Sequence, residues 1–237
     1  MEIKVDALVL RTADYGESDK MLTLFTLQQG KLSAAAKGVR KAGAKLRFAA
    51  QPFCFAEYVL ARRGERYTVI SAANTDGFYG LREDIGKLYA AASLAGICDA
   101  LLYDGIVNEE LFLRAVNALR EMCEGDEAEA LISFFLAALD LSGYMLDLSG
   151  CAGCGAVLEG KTFFDVAGGC FYCADCARGA GVSEGTLQLL KKCSGGEFDE
   201  KKLSAEGKKR ALKLLNAYFR AKTETQVRAL DEYIAML

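Results

Sequence analysis

The stretch from Cys151 to Cys176, CAGCGAVLEGKTFFDVAGGCFYCADC, constrains this chain more than any other. It holds Cys151-x-x-Cys154 and Cys173-x-x-Cys176, with 18 residues between the inner cysteines. That fits the four-cysteine zinc spacing, in which about 15 to 20 residues separate two such knuckles. A two-residue gap lets both thiolates of a knuckle reach one ion. Two knuckles then complete a tetrahedron at roughly 2.3 Å per Zn–S bond. Gly153 and Gly155 flank the first knuckle, and Gly168-Gly169 precedes the second pair. The register is open, because Cys170 also forms Cys-x-x-Cys with Cys173, and the 15-residue gap then left from Cys154 still fits. Gly-Gly followed by two aromatics reads as a hairpin that presents the last knuckle. This favours Cys151, Cys154, Cys173 and Cys176 as ligands of one Zn2+. A redox pair, a disulfide knot and a site that has lost its metal are the alternatives. Four thiolates leave no open coordination position, so the expected role is structural.

The chain has 237 residues, enough for one or two domains, and 52% apolar content supplies an ample core. No run of 18 apolar residues exists, so no membrane-spanning helix is expected. The opening MEIKVDALVL lacks the basic start and long apolar core of a signal peptide, which predicts a cytoplasmic protein. Nine cysteines are an awkward number for a secreted disulfide framework. In a reducing compartment, Cys54, Cys98, Cys123 and Cys193 read instead as small buried hydrophobes. The chain contains no histidine. That removes imidazole bases, Ser–His and Cys–His nucleophile pairs and histidine-ligated catalytic metals. The zinc-deaminase signature, a phosphate-binding G-x-x-x-x-G-K-[ST] and a G-x-G-x-x-G are absent as well. The expectation is a protein that is not an enzyme.

Net charge is −3, and its distribution is uneven. Residues 1–80 carry 12 Lys and Arg against 8 Asp and Glu, whereas residues 81–237 carry 17 against 24. Within 31–66 the count is 9 against 2. The first third is thus a basic module on an acidic partner. Its pattern is that of short strands at 2–10, 21–27, 31–37, 53–61 and 67–73, with turn chemistry at Tyr15–Asp19 and a basic Gly/Ala-rich loop over 38–51. Five short strands in such a span suggest a small OB-type barrel. Lys37, Arg40, Lys41, Lys45 and Arg47 share one loop, and Arg62, Arg63 and Arg66 mark another turn, with Phe53, Phe55, Tyr58 and Tyr67 interleaved. Cations with aromatic platforms are the means by which such barrels hold single-stranded nucleic acid, so these eight cations are the candidate nucleic-acid contacts.

From Leu81 the period becomes helical, over 81–102, 109–123 and a nearly all-apolar 128–141 that must be central. After the cysteine stretch, Ser183 reads as the N-cap of a helix to Cys193. Ser204 opens a long helix to about Lys222, and a last helix covers 225–237. The expected architecture is α+β: a five-stranded OB-type barrel in 1–80, then an α-helical domain in 81–237 with a four-cysteine zinc-binding insert at 149–180. On the helix 205–222, Ala211, Leu212, Leu215, Tyr218 and Phe219 share one side, while Lys209, Lys213 and Arg220 line another.

Several segments resemble the bacterial RecO recombination-mediator family. They are Leu8-Val9-Leu10-Arg11-Thr12, Asp14-Tyr15-Gly16-Glu17-Ser18-Asp19-Lys20, Gly30-Lys31-Leu32-Ser33, Ala36-Lys37-Gly38-Val39-Arg40 and Gln51-Pro52-Phe53. The cysteine module at 151–176 looks like that family's, apart from the extra Cys170. The resemblance runs in order along the whole chain, and Tyr-Gly-Glu-Ser-Asp is its most specific part. It implies an OB barrel, a helical domain and a zinc insert. It also implies binding of single- and double-stranded DNA, annealing of complementary strands, and loading of the recombinase onto coated single strands in the RecF pathway. The implied partners are RecR and the acidic C-terminal tail of the single-stranded-DNA-binding protein, for which Lys209, Lys213 and Arg220 are the candidate contacts. An OB-fold RNA-binding factor and a zinc-dependent nucleic-acid-modifying enzyme are the alternatives. The implied location is the nucleoid of the cytoplasm.

Overall fold

The computed structural model describes residues 1–200 and 206–237. Strands β1 (Glu2–Tyr15), β2 (Asp19–Thr26), β3 (Gly30–Ala36), β4 (Phe55–Arg63) and β5 (Arg66–Asp76) close a barrel in the order β1-β2-β3-β5-β4, with β4 returning to β1. Only the β3–β5 seam is parallel, pairing Ala34 with Tyr67 and Ala35 with Thr68. This is the expected five-stranded OB-type barrel.

β1 explains why the apolar run from Ala7 to Leu10 is unbroken. Val5, Ala7 and Val9 point into the barrel beside Leu22, Leu24, Leu32, Tyr58 and Leu60. Leu8 and Leu10 point outward into the core of the helical half. A strand covered on both faces has no polar side to show. β1 also outruns its expected end at Leu10, because Arg11–Tyr15 pair with Asp19–Thr23 as a largely solvent-facing ribbon. Such a ribbon is held by ladder bonds and buries little, so it leaves no hydrophobic period to read. β2 accordingly starts at Asp19 rather than Met21, and β5 runs to Asp76 rather than Ala73. Phe53 and Cys54 precede β4, with Phe53 in the left-handed region (φ 66°).

The helical half comprises α1 (Ile85–Leu101), α2 (Glu109–Glu124), α3 (Glu127–Leu141), α4 (Glu184–Cys193), α5 (Gly207–Thr223) and α6 (Arg228–Met236). Asp84, Asn108, Asp126 and the expected Ser183 cap α1 to α4 by accepting first-turn N–H groups. α3 is central as expected, packed against α1, α2, α4 and α5. Ser204, the expected cap of α5, and Ala205 lie outside the described residues. Between α3 and α4 the chain forms β6 (Asp147–Cys151), β7 (Thr162–Asp165), β8 (Cys170–Tyr172) and β9 (Ala180–Val182), a sheet in the order β6-β8-β7-β9. β7 and β8 are the two arms of the expected hairpin.

Barrel and helices meet across apolar side chains. The Phe112 ring of α2 meets Phe25 edge-on at 5.2 Å between centroids and Phe55 at 5.8 Å. Beside them Lys31 Nζ donates to the Asp99 carbonyl oxygen at 2.8 Å and pairs with its carboxylate at 3.2 Å. Gly30 (φ 65°) lies so close to the Ile106 carbonyl that any Cβ would stand 2.1 Å from its oxygen. Phe112→Ala removes a side chain only 1% exposed from this contact. It should cost about 3–5 kcal/mol of stability, read as a lower denaturation midpoint in urea. A shift below about 1 kcal/mol would mean that the halves do not depend on this ring.

Candidate metal centre and nucleic-acid interface

The cysteine insert brings four sulfurs together. The Sγ atoms of Cys151, Cys154, Cys173 and Cys176 all lie within 4.8 Å of one another. Cys154 Sγ and Cys173 Sγ are 3.8 Å apart. A tetrahedral ion with metal–sulfur bonds of about 2.3 Å has edges of roughly 3.8 Å, so the spacing fits a Zn-sized ion. It is also far from the roughly 2 Å of a covalent S–S bond. Cys170 is not among the four clustered sulfurs. Gly153 makes the closure possible, since a Cβ there would stand 2.9 Å from Cys176 Sγ.

Four thiols this close perturb one another. The Cys173 backbone N–H donates to Cys151 Sγ at 3.3 Å. This bond, with those from Gly153 and Cys154, draws the Cys151 thiol down to about 6. Hydrogen bonding with the thiols of Cys154, Cys173 and Cys151 pushes Cys176 up to about 12. One crowded sulfur ionises readily and the next is then penalised, a conflict that a bound cation resolves. A four-cysteine cluster of this kind can hold a metal ion, and its thiolate donors suit a soft or borderline one.

The eight barrel cations are all exposed. The β3–β5 pairing places the β4–β5 turn, with Arg62, Arg63 and Arg66, beside the strand that feeds the loop beginning at Lys37. Their roles differ. Arg40 pins the loop to the β1–β2 turn, reaching Asp14 at 3.3 Å and the Gly16 carbonyl at 3.2 Å. Arg47 donates back to the Lys41 carbonyl at 3.1 Å. Arg62 donates to the Gly64 carbonyl and lies over the Tyr67 ring, 5.7 Å from its centroid. Lys37, Lys41, Lys45, Arg63 and Arg66 make no side-chain hydrogen bond or ion pair among the described residues. Asp19 anchors the loop from below, accepting from the Gly38 N–H at 2.7 Å. That bond, helped by Ser18, Lys37 and Lys41, holds its carboxyl below the usual carboxylate range.

The expected aromatic platforms of the barrel are corrected by the structure. Tyr58 is fully buried inside the barrel, its hydroxyl donating to the Ala49 carbonyl at 2.7 Å. Phe53 and Phe55 pack on the helical core. Of the four, only Tyr67, half-exposed under Arg62, is placed to meet a ligand. Inward-facing and helix-covered positions looked the same as solvent-facing ones in sequence.

On α5 the expected apolar side, Ala211, Leu212, Leu215, Tyr218 and Phe219, is wholly buried in the bundle. Lys213 and Arg220 are exposed and Lys209 half-buried. A recess of about 310 Å³ opens between α5 and α6, lined by Lys213, Asn216, Ala217, Arg220, Asp231 and Ile234. Asn216 had not been singled out in the sequence. Its amide N–H donates to Asp231 at 2.8 Å, and its buried Oδ1 has no partner among the described residues. Lys209 and Lys213 also line a second recess of about 480 Å³ that reaches Leu237. No helix among the described residues is long and apolar enough to cross a membrane.

Two family models match the chain: Recombination protein O N terminal over residues 1–78 and Recombination protein O C terminal over residues 82–231. The chain belongs to the RecO family. Among its relatives, the DNA repair protein RecO of Desulforamulus reducens is 37% identical over 193 residues, which are 79% of this chain and 75% of the relative. Those of Pelotomaculum thermopropionicum and Rubrobacter xylanophilus are 36% and 35% identical over 192 and 193 residues, covering 79% and 78% of this chain and 75% and 77% of the relatives. The two matched segments of this RecO-family chain meet at the single turn of 3-10 helix Tyr79–Arg82, which follows β5 and leads into α1.

The sulfur geometry sets a direct test of the ligand register. Cys154→Ser is expected to abolish stoichiometric metal in protein purified without chelators, whereas Cys170→Ser should retain it. Elemental analysis that gave the opposite pattern would reassign the ligands.

Proposed function

We propose that this protein is a DNA-repair and recombination mediator that works by binding rather than by catalysis. In this reading the barrel's basic loops hold single- and double-stranded DNA, the protein anneals complementary strands, and it helps load the recombinase onto single strands coated by their binding protein. RecR and the acidic tail of the coating protein are the partners. The barrel of residues 1–80 is the DNA module and residues 81–237 are the partner module. A structural Zn2+ on Cys151, Cys154, Cys173 and Cys176 holds the insert together. The site of action is the cytoplasm, at the nucleoid. Membership of the RecO family carries the reading, and the exposed cations of the barrel supply its physical means.

Lysines that neutralise phosphates release counterions, so each single-strand phosphate contact contributes about −0.7 to the slope of log K against log salt. Reversing Lys37, Lys41 and Lys45 together spares Arg40 and Arg47, which hold the loop. The triple variant should bind oligonucleotides of every sequence more weakly, and the slope should flatten by about 2 if all three touch phosphate. Unchanged affinity and slope would move the DNA site off this loop.

The partner surface rests on the recess between α5 and α6. Lys213, Ala217 and Ile234 line it, with Arg220 placed 3.8 Å from Asp231. That chemistry suits an acidic tail ending in an apolar residue. Rim charges act mainly on association rate. Lys213→Glu should therefore slow association of a tail peptide at low salt and reduce its salt dependence, with thermal stability and DNA affinity unchanged. Equal association rates for variant and wild type would place the tail elsewhere.

A further inference from the structure

We propose that the outward face of the cysteine-insert sheet, where Phe163 and Tyr172 lie side by side under Lys161 and Arg178, is a shelf on which bases of single-stranded nucleic acid stack. The inference rests on the nucleic-acid reading above and adds a base contact to its phosphate contacts.

The two faces of this small sheet differ sharply. Thr162, Phe164, Phe171 and Val182 are buried on the inner face. There Phe164 meets Phe171 at 4.8 Å and Tyr218 of α5 at 5.8 Å. Strand alternation turns Phe163 and Tyr172 to the other face. They are direct antiparallel partners, so their rings rise from adjacent positions. On the next strand Gly181 pairs with Phe163, and nothing lies within 4 Å of where its Cβ would be. The shelf is therefore open on that side.

Each ring carries its own cation. Lys161 Nζ is 5.5 Å from the Phe163 centroid, and the Arg178 guanidinium is 5.8 Å from that of Tyr172. The cations come from separate segments, one before β7 and one after the second knuckle. Asp165 shares this face, but its carboxylate accepts from the Ala167 N–H at 3.0 Å and is turned into the hairpin. Each cation lies over its ring, and when it swings out to a phosphate it frees that π-face for a base. Paired bases of a duplex present no free face, so the shelf suits single strands. Both rings are half-exposed; Tyr172 packs in part on the helical core, whereas Phe163 is not among the residues that do, so packing on that core does not account for it.

The test uses the full-length protein with its metal content verified. Affinities are measured for oligo-dT and for an abasic deoxyribose-phosphate strand of the same length. Wild type should favour oligo-dT. Phe163→Leu keeps an apolar side chain but removes the ring, and should reduce that preference roughly five-fold or more while leaving the salt slope intact. Gly181→Leu leaves both rings in place, fills the open side of the shelf without changing charge, and should reduce the preference likewise. If both variants bind oligo-dT and the abasic strand as wild type does, the shelf is wrong and the loop reading stands. If wild type binds neither strand, the nucleic-acid reading fails, and the shelf with it.

Discussion

The contact of Phe112 with Phe25 and Phe55 is the joint on which the rest of the molecule depends. It buries the outward side chains of three barrel strands, since Leu8 and Leu10 of β1, Phe25 of β2 and Phe55 of β4 all pack on the helical core. β3 and β5 contribute nothing to that core among the described residues, and their outward Ser33 and Ile70 are exposed. The barrel therefore has a covered side and an open side. The β3–β4 loop leaves from β3 and the β4–β5 turn enters β5, the two strands of the open seam, and the cations of both are exposed.

The cysteine insert solves a different problem. A sheet of such short strands cannot bury enough apolar surface to hold itself together. Its inner face lends Phe164 and Phe171 to the helical core, and the outer end is gathered by four sulfurs. Four thiolates that close repel one another, and a cation among them offsets that repulsion. Folding of the insert and occupancy of the cluster are thus expected to be one equilibrium.

Much of this was legible in the sequence because it rests on short-range chemistry. The knuckle spacing, the Ser183 cap, the apolar α3 and the hairpin between Gly168 and Tyr172 all follow from residue type and period. Features that depend on a distant neighbour were not. The ribbon Arg11–Tyr15 buries too little to show a period. Tyr58 carries a polar tip that suggested a surface role, yet it shares the inward phase of Ala56 and Leu60, opposite Glu57, and the sheet closes around it. Spacing alone left Cys170 as an alternative ligand; which sulfurs meet is settled by how the two knuckles fold onto each other. Asn216 gave no signal, since its orphaned oxygen exists only where α5 and α6 form a recess.

The basic loop shows why counting charges was an incomplete guide. Arg40 and Arg47 are spent on the loop's own backbone and on Asp14, and Asp19 clamps Gly38 from the adjoining turn. Val39, Ala49 and Ala50 are buried as a plug at the barrel's end. The backbone is thereby fixed, while Lys37, Lys41 and Lys45 keep their rotamer freedom. A fixed rail carrying mobile ammonium groups meets a phosphate chain at little cost in backbone order and imposes no fixed hydrogen-bond geometry on it. Such a surface would discriminate charge spacing rather than base identity, as the proposed function requires.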